Sequence, residues 1–114
     1  MAAPSAHAAQ PSQTHLQAIK YVSGSSVTKG SCKGWMNRNT RNGYVQGVGQ
    51  SWGDTCTMWL QRYKVGYGWY QLSDYYTLHN NKRSTGFHSN GTNLAARVCI
   101  ELNWGNNKCG KTIW

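Results

Sequence analysis

The sequence predicts a small all-β domain, an antiparallel sandwich or barrel that two disulfides hold together. Three observations support this fold class. The 114 residues include four cysteines, turn signals recur about every ten residues, and the stretches between them are rich in aromatic, Thr and Val residues, as strands are. The length suits a single domain. Because six Trp and seven Tyr accompany few aliphatic residues, the core is expected to be aromatic.

Seven strands follow from the spacing of the turns. They cover residues 19–23, 31–37, 43–52, 55–65, 69–78, 94–103 and 111–114. Asn42-Gly43 favours a hairpin, because both positions of such a turn accept a positive φ. The last hairpin is expected to turn at residues 105–107, which places Cys99 and Cys109 on adjacent strands. The polar, basic stretch of residues 79–93 is predicted to be a long exposed loop.

Side-chain alternation assigns the two faces of the predicted strands. Between residues 96 and 102, one face carries Ala96, Val98, Ile100 and Leu102, and the other carries Arg97, Cys99 and Glu101. Between residues 57 and 63, one face carries Met58, Leu60 and Arg62, and the other carries Trp59, Gln61 and Tyr63. Because both faces of this second strand hold apolar or aromatic groups, it is predicted to be central in its sheet.

The cysteines are predicted to form disulfides. They lack the C-x-x-C spacing of zinc and redox sites, and disulfides are typical of small proteins in oxidising compartments. Four cysteines allow three connectivities. We favour Cys32–Cys56 and Cys99–Cys109, because sequence neighbours bracket the expected hairpins, and each closed loop would contribute about 3 kcal/mol. The other pairings stay open at this stage.

The N-terminal residues 1–18 are rich in Ala, Ser, Gln and Pro, and they are predicted to be a flexible segment outside a β-domain of residues 19–114. Residues 1–10 are similar to the end of a signal peptide. The predicted partner-docking residues follow directly: Ile19, Lys20, Tyr21 and Val22. A flexible segment ending in a β-prone element suits strand addition to another protein's sheet. The alternative is a remnant of signal cleavage.

The charge of the chain favours an anionic partner. Twelve Lys and Arg against three acids give a net charge of +9, which surrounds a small body with a positive field. The candidates are nucleic acid, an anionic cell-wall polymer or carbohydrate, a membrane surface, and an acidic protein, of which another secreted protein is favoured. The basic residues form no run of five or more, so a general role in solubility is the alternative. No apolar run approaches the roughly 20 residues that a transmembrane helix needs.

A second binding surface is predicted where aromatic residues alternate with Lys and Gly. It consists of Tyr63, Lys64, Tyr67, Trp69 and Tyr70. Flat rings offer stacking faces to sugars or bases, while cations meet anionic groups. The alternative is that several of these rings belong to the core of a domain with few aliphatic side chains.

Groups that could perform catalysis are scarce. The best catalytic alternative is a small ribonuclease, in which His79, His88, Arg97 and Glu101 would have to share a site. The spacing does not require it, and no third ligand accompanies the two histidines, so no metal and no cofactor are predicted. Disulfide formation leaves no cysteine as a nucleophile. The sequence therefore favours a binding protein over an enzyme.

Residues 31–114, with their four cysteines, Asn-Gly and Trp-Gly turns and the segment from Ala96 to Cys109, resemble small secreted proteins of actinomycetes. One such group is the adaptor subunit of secreted umbrella toxin particles. The resemblance implies a protein-docking adaptor in an extracellular antibacterial or toxin complex. The alternatives are a ribonuclease-like toxin, a cationic antimicrobial protein that binds cell wall or carbohydrate, and an inhibitor of a secreted hydrolase.

Overall fold

A computed structural model describes residues 18–102 and 105–114. The predicted flexible segment therefore lies outside the described residues, apart from Ala18. The described part of the chain has no helix that could cross a membrane. Its strands are β1 (Ile19–Tyr21), β2 (Val27–Lys29), β3 (Cys32–Asn39), β4 (Val45–Ser51), β5 (Thr55–Lys64), β6 (Gly68–Gln71), β7 (Tyr76–His79), β8 (Lys82–Ser84), β9 (Leu94–Leu102) and β10 (Asn107–Cys109).

The strands form two antiparallel sheets, which confirms the all-β fold class. The first sheet has the order β1-β3-β4-β8, and β2 also pairs with β3. The second has the order β10-β9-β5-β6, and β7 also pairs with β5. The sheets pack face to face with the curl of half a barrel. Strand β5 lies between β9 on one side and β6 and β7 on the other, as its two apolar faces predicted.

The core lies between the inner faces of the two sheets. Met36 and Val45 reach it from the first sheet, and Met58, Leu60 and Ile100 reach it from the second, all without exposed surface. The alternation predicted for residues 96–102 is confirmed. The expectation of an aromatic core is wrong, because the buried cluster consists of aliphatic, Met and Cys side chains, with Tyr76 packed against its margin and only Trp59 buried among the described rings. Most rings of the described residues lie on the outer faces instead.

Two glycines of β4 explain why the core excludes large rings. A Cβ at Gly49 would lie 2.7 Å from Leu78 Cδ1 and 3.0 Å from Met58 Cγ, and a Cβ at Gly47 would lie 3.0 Å from Leu60 Cδ2. The first sheet thus approaches the second so closely that only hydrogen fits at these positions. A thin interlayer of this kind is filled by Met, Leu and Val.

Both favoured disulfides are present. Cys32–Cys56, with 6.7 Å between its Cα atoms, joins β3 to β5 and therefore clamps the two sheets together. Cys99–Cys109 joins directly opposed residues of β9 and β10, with a Cα separation of 4.0 Å. The pairing Cys32–Cys56 was favoured because the two cysteines were expected to bracket a hairpin, whereas the bridge joins strands of different sheets. Two such bridges are consistent with an extracellular protein.

Several strand boundaries differ from the predicted ones. The predicted strand 69–78 divides into β6 and β7 around Ser73, whose buried hydroxyl accepts a hydrogen bond of 2.8 Å from the Leu60 N–H. The predicted loop 79–93 contains β8 and a bridge between His88 and Val45. In place of a strand at 111–114, β10 covers 107–109 and only Ile113 bridges to Ala96. These segments are short and polar, so their pairing depends on the rest of the fold.

The Asn42-Gly43 hairpin joins β3 to β4 as predicted, but through a longer turn. Only Gly43 has a positive φ, of 77°. The Asn39 N–H donates to the Tyr44 carbonyl at 2.8 Å, and the Gly43 N–H donates to the Asn39 carbonyl at 2.7 Å. The loop therefore spans residues 40–43, and one glycine supplies the left-handed conformation.

Candidate binding faces

The outward side chains of the first sheet form an aromatic and basic surface, which we call the first face. In β3 the residues that point inward are Cys32, Gly34 and Met36, so Lys33 and Trp35 point outward. Neighbouring strands add their own outward residues to the same surface. The first face comprises Tyr21, Lys33, Trp35, Gln50, Trp52 and Lys82.

Strand register arranges the polar groups of the first face in a line. Gln50 of β4 lies opposite Lys33 of β3 on one side and opposite Lys82 of β8 on the other. Two strand spacings separate the lysine backbones by about 10 Å. Their ammonium nitrogens converge toward one ring, because Lys33 Nζ lies 5.9 Å and Lys82 Nζ 5.7 Å from the centroid of Trp35. The face thus presents one amide between two cations.

The rings of the first face border a shallow cavity of 280 Å³, which Lys33 and Gln50 also line. Tyr21 is 53% exposed and Trp52 is 59% exposed. Trp52 is held where it lies, since its backbone N–H donates to the Ser31 carbonyl at 2.9 Å. Trp52 therefore projects into solvent from a hydrogen-bonded backbone, and Tyr21 projects from β1, which pairs with β3.

The first face is also free of negative charge. The strands of the first sheet contain neither Asp nor Glu. The nearest acid in sequence, Asp54, lies in the turn before β5, where its Oδ2 accepts hydrogen bonds of 2.9 Å from the Ser31 N–H and hydroxyl. These two hydrogen bonds hold the pKa of Asp54 below its usual value, and the bond from the Ser31 backbone N–H has the larger effect. This carboxylate therefore stabilises a turn.

The outer side of the second sheet carries another group of aromatic residues, the second face, which comprises Gln61, Tyr63, Trp69, Arg97 and Trp114. The Arg97 guanidinium lies 3.8 Å from the centroid of Trp69, and its Nε donates to Gln61 Oε1 at 2.8 Å. The ring of Tyr63 contacts those of Trp69 and Trp114, with centroids 5.3 and 5.8 Å apart. Partial burial lowers the pKa of Arg97. Here the cation and the rings bind one another.

The structure divides the aromatic and basic surface predicted at residues 63–70. Tyr63 and Trp69 are opposed residues of β5 and β6 and belong to the second face. Tyr70 is opposite Arg62 and therefore points to the other side of the sheet. Lys64 and Tyr67 form their own pair at the β5–β6 turn, with Nζ 4.7 Å from the ring centroid. The five residues do not form one continuous platform.

The predicted docking residues lie in and after β1, at the end of the first sheet. The Thr40 N–H donates to the Ala18 carbonyl at 2.7 Å, and the Val22 N–H donates to the Met36 carbonyl at 2.9 Å. Because such pairs alternate along antiparallel strands, the backbone groups of Ile19 and Tyr21 point away from β3. Within the described residues, no strand pairs with that side. Lys20 lies between them, opposite Arg38.

The four residues considered for ribonuclease chemistry do not converge. The His79 Nδ1 lies 2.9 Å from the Thr55 Oγ1. Thr55 follows the turn that comes directly after the last residue of β4. His88 pairs with Val45, the first residue of the same strand. Seven strand residues span about 20 Å, so the histidines lie at opposite ends of the sandwich. Within the described ranges, no group of three or more His, Cys, Asp or Glu is placed to hold a metal.

One end of the sandwich contains a buried cation. Arg62 is 3% exposed, and its Nη2 donates to the Ser89 carbonyl. Its Nε is buried without a hydrogen-bond partner, as is Asn90 Oδ1. Burial lowers the pKa of Arg62. Burial, and then the charge of Arg62, lower the pKa of the neighbouring His88. Arg62 is enclosed and His88 beside it is half-buried, so we assign this cluster a structural role.

The sequence did not predict the first face. Trp35 and Trp52 lie 17 positions apart, and only the β3–β4 register brings them to one surface. A signal was nevertheless present in residues 32–36, where Lys33 and Trp35 alternate with small or apolar residues. Comparison of the chain with family models, with curated proteins and with solved structures finds no match. The interpretation of both faces therefore depends on their own geometry.

Proposed function

We propose that this chain is a secreted, non-enzymatic docking adaptor that binds a partner protein by strand addition along β1. The observation that carries the proposal is the orientation of β1. Ile19 and Tyr21 direct N–H and C=O groups away from β3, and an edge of this kind is the template that another strand requires. Backbone pairing would supply affinity, and the adjoining side chains would supply specificity.

Three further features support an adaptor. The two disulfides suit an extracellular site of action. The Cys32–Cys56 bridge clamps the sheet that carries β1 to the second sheet, so the docking edge belongs to a rigid body. A net charge of +9 favours encounter with an acidic partner. The setting we propose is an extracellular antibacterial toxin complex, as the resemblance to small actinomycete proteins implies.

The proposal is tested by removing one outward N–H from β1. Ile19→Pro removes the N–H of a residue that does not bond to β3, and proline is tolerated on edge strands. Ile19→Ala is the matched control, because it shortens the same side chain and keeps the N–H. The tagged wild type and both variants are incubated in the culture medium of the producing organism, and the retained proteins are identified by mass spectrometry.

We expect a protein that the wild type and Ile19→Ala retain and that Ile19→Pro releases. Hydrogen exchange on the purified complex should then show added protection of the Ile19 and Tyr21 amides. Thermal unfolding of each variant establishes that the fold is intact. Equal retention by Ile19→Pro, or a complex in which these amides exchange as in the free chain, would contradict strand addition.

A further inference from the structure

We infer that the first face binds an acidic polysaccharide, with the polymer lying across β3, β4 and β8. This site differs from the β1 edge, because it uses side chains that project from the sheet and not the backbone groups at its margin. The inference goes beyond the docking adaptor and does not depend on it. An adaptor with both sites would join a partner protein to a glycan surface.

The rings provide the first part of the argument. Trp52 and Tyr21 expose more than half of their surface, and together with Trp35 they border one cavity. One side of a pyranose ring presents C–H groups, which carry slight positive charge and pack on the negative face of an aromatic ring. Several such rings on a rigid sheet can bind successive sugars. The backbone hydrogen bond of Trp52 to Ser31 and the pairing of β1 and β3 position the rings before the ligand arrives.

The polar groups provide the second part. Gln50 offers an amide donor and an acceptor, which are the groups that sugar hydroxyls require. The backbones of Lys33 and Lys82, on either side of Gln50, are separated by about 10 Å, and their ammonium nitrogens lie 5.9 and 5.7 Å from the centroid of Trp35. Each ammonium can meet a carboxylate or sulfate group while hydroxyls of the same polymer face Gln50. The face thus fits a polymer that offers both acid groups and hydroxyls.

The charges of the first face suit an acidic polymer. Both cations of the face are lysines, which meet a carboxylate or sulfate group as point charges. The nearest arginine on β8, Arg83, lies against the Tyr76 ring at 5.1 Å and donates to the Thr77 carbonyl, so it is turned away from the face. The strands of the first sheet contain no Asp or Glu to repel an acidic polymer, and the nearest acid in sequence, Asp54, is bonded to Ser31.

The test measures binding of the folded chain to soluble polymers by isothermal titration at low salt. Hyaluronate carries a carboxylate on alternate sugars, neutral dextran carries none, and poly-L-glutamate and poly(dT) represent acidic protein and single-stranded nucleic acid. We expect hyaluronate to bind, dextran not to bind, and the two other polyanions to bind at least about tenfold more weakly. Added salt should weaken the hyaluronate complex, since exposed charges are screened.

Paired variants locate the binding site. Trp52→Ala should weaken hyaluronate binding about tenfold, the effect of losing one stacking ring. Trp114→Ala should have little effect, although this Trp on the second face is also 59% exposed. The double variant Lys33→Gln/Lys82→Gln should lose about tenfold at low salt. Lys64→Gln/Lys108→Gln, which removes the same charge from the second sheet, should lose less than about twofold.

Each other result would overturn the inference. Equal losses from the two Trp variants, or from the two Lys pairs, would mean that net charge and exposed rings bind without a specific site. Poly-L-glutamate or poly(dT) binding as tightly, with the same loss in Trp52→Ala, would assign the face to protein or to nucleic acid. No binding of hyaluronate by the folded chain would exclude the ligand class. Ile19→Pro should leave hyaluronate binding unchanged, so the failure of either proposal is recognisable.

Discussion

The two outer faces of the sandwich carry similar residues and differ in what those residues contact. On the second face, the Arg97 guanidinium stacks on Trp69 at 3.8 Å and is fixed by Gln61. On the first face, the ammonium groups of Lys33 and Lys82 stay 5.9 and 5.7 Å from a single ring. One face has used its cation and rings to stabilise itself. The cations of the first face make only these longer ring contacts, and composition alone does not distinguish the two arrangements.

The largest expected effect tests whether the first face stands on a rigid strand. Gly49→Ala places a Cβ 2.7 Å from Leu78 Cδ1 on the inner side of β4. Overpacking of this kind should lower the free energy of unfolding by about 3 kcal/mol, and urea denaturation measures it. Gly86→Ala is the control, because nothing lies within 4 Å of a Cβ there. Equal stability of the two variants would mean that β4 shifts freely and that Trp52, which follows it, is not preorganised.

The next effect compares the cations of the two faces directly. Arg97→Ala removes a ring stack and a hydrogen bond, so it should lower the free energy of unfolding by about 1–2 kcal/mol. Lys33→Ala should change it by less than about 0.5 kcal/mol, as expected for a half-buried outward side chain with loose contacts. Both values come from urea unfolding under the same conditions. If Lys33→Ala proved as costly as Arg97→Ala, the lysines would be structural and the contrast between the faces would disappear.

The sequence predicted the elements that have a local pattern and missed those that depend on pairing with distant strands. Elements defined by local pattern were found: the strands around the core, the alternation in residues 96–102 and the hairpin at Gly43. Cysteine spacing gave the correct pairing, although Cys32–Cys56 joins sheets and not neighbouring strands. The short strands β2 and β8 were missed because they contain too few residues for a pattern and form only against β3 and β4. The aromatic core was a wrong expectation, because the glycines of β4 leave no room for rings.

The candidate faces were harder to predict, since each is assembled by register between strands. Tyr63 and Trp69 were singled out because they are close in sequence. Tyr70 was grouped with them for the same reason, but as the residue next to Trp69 in β6 it points to the opposite side of the sheet. Trp35 and Trp52 were overlooked because they belong to different strands. Period-two alternation tells which side of a strand a residue takes. It does not tell which strands pair, and that pairing decides which side chains share a surface.

The smallest expected effect concerns His88, which lies beside Arg62 at one end of the sandwich. Neither face includes a histidine, so this test leaves both faces unchanged. Burial and the charge of Arg62 lower the pKa of His88 from its usual value of 6.5, so the folded chain binds fewer protons here than the unfolded chain in mild acid. The stability due to neutral His88 is complete above the unfolded pKa. It is lost as the pH falls from there through the folded pKa.

Urea unfolding between pH 8 and pH 4.5 measures this dependence, a range chosen to bracket the usual histidine pKa of about 6.5. Wild type should lose stability as the pH falls, and His88→Gln should lose less over the same interval. His79→Gln is the control for the loss of a histidine, because it removes an exposed one at the opposite end, away from Arg62. If His88→Gln kept the wild-type slope, the acid sensitivity would arise elsewhere. The buried Arg62 would then tolerate a second positive charge beside it.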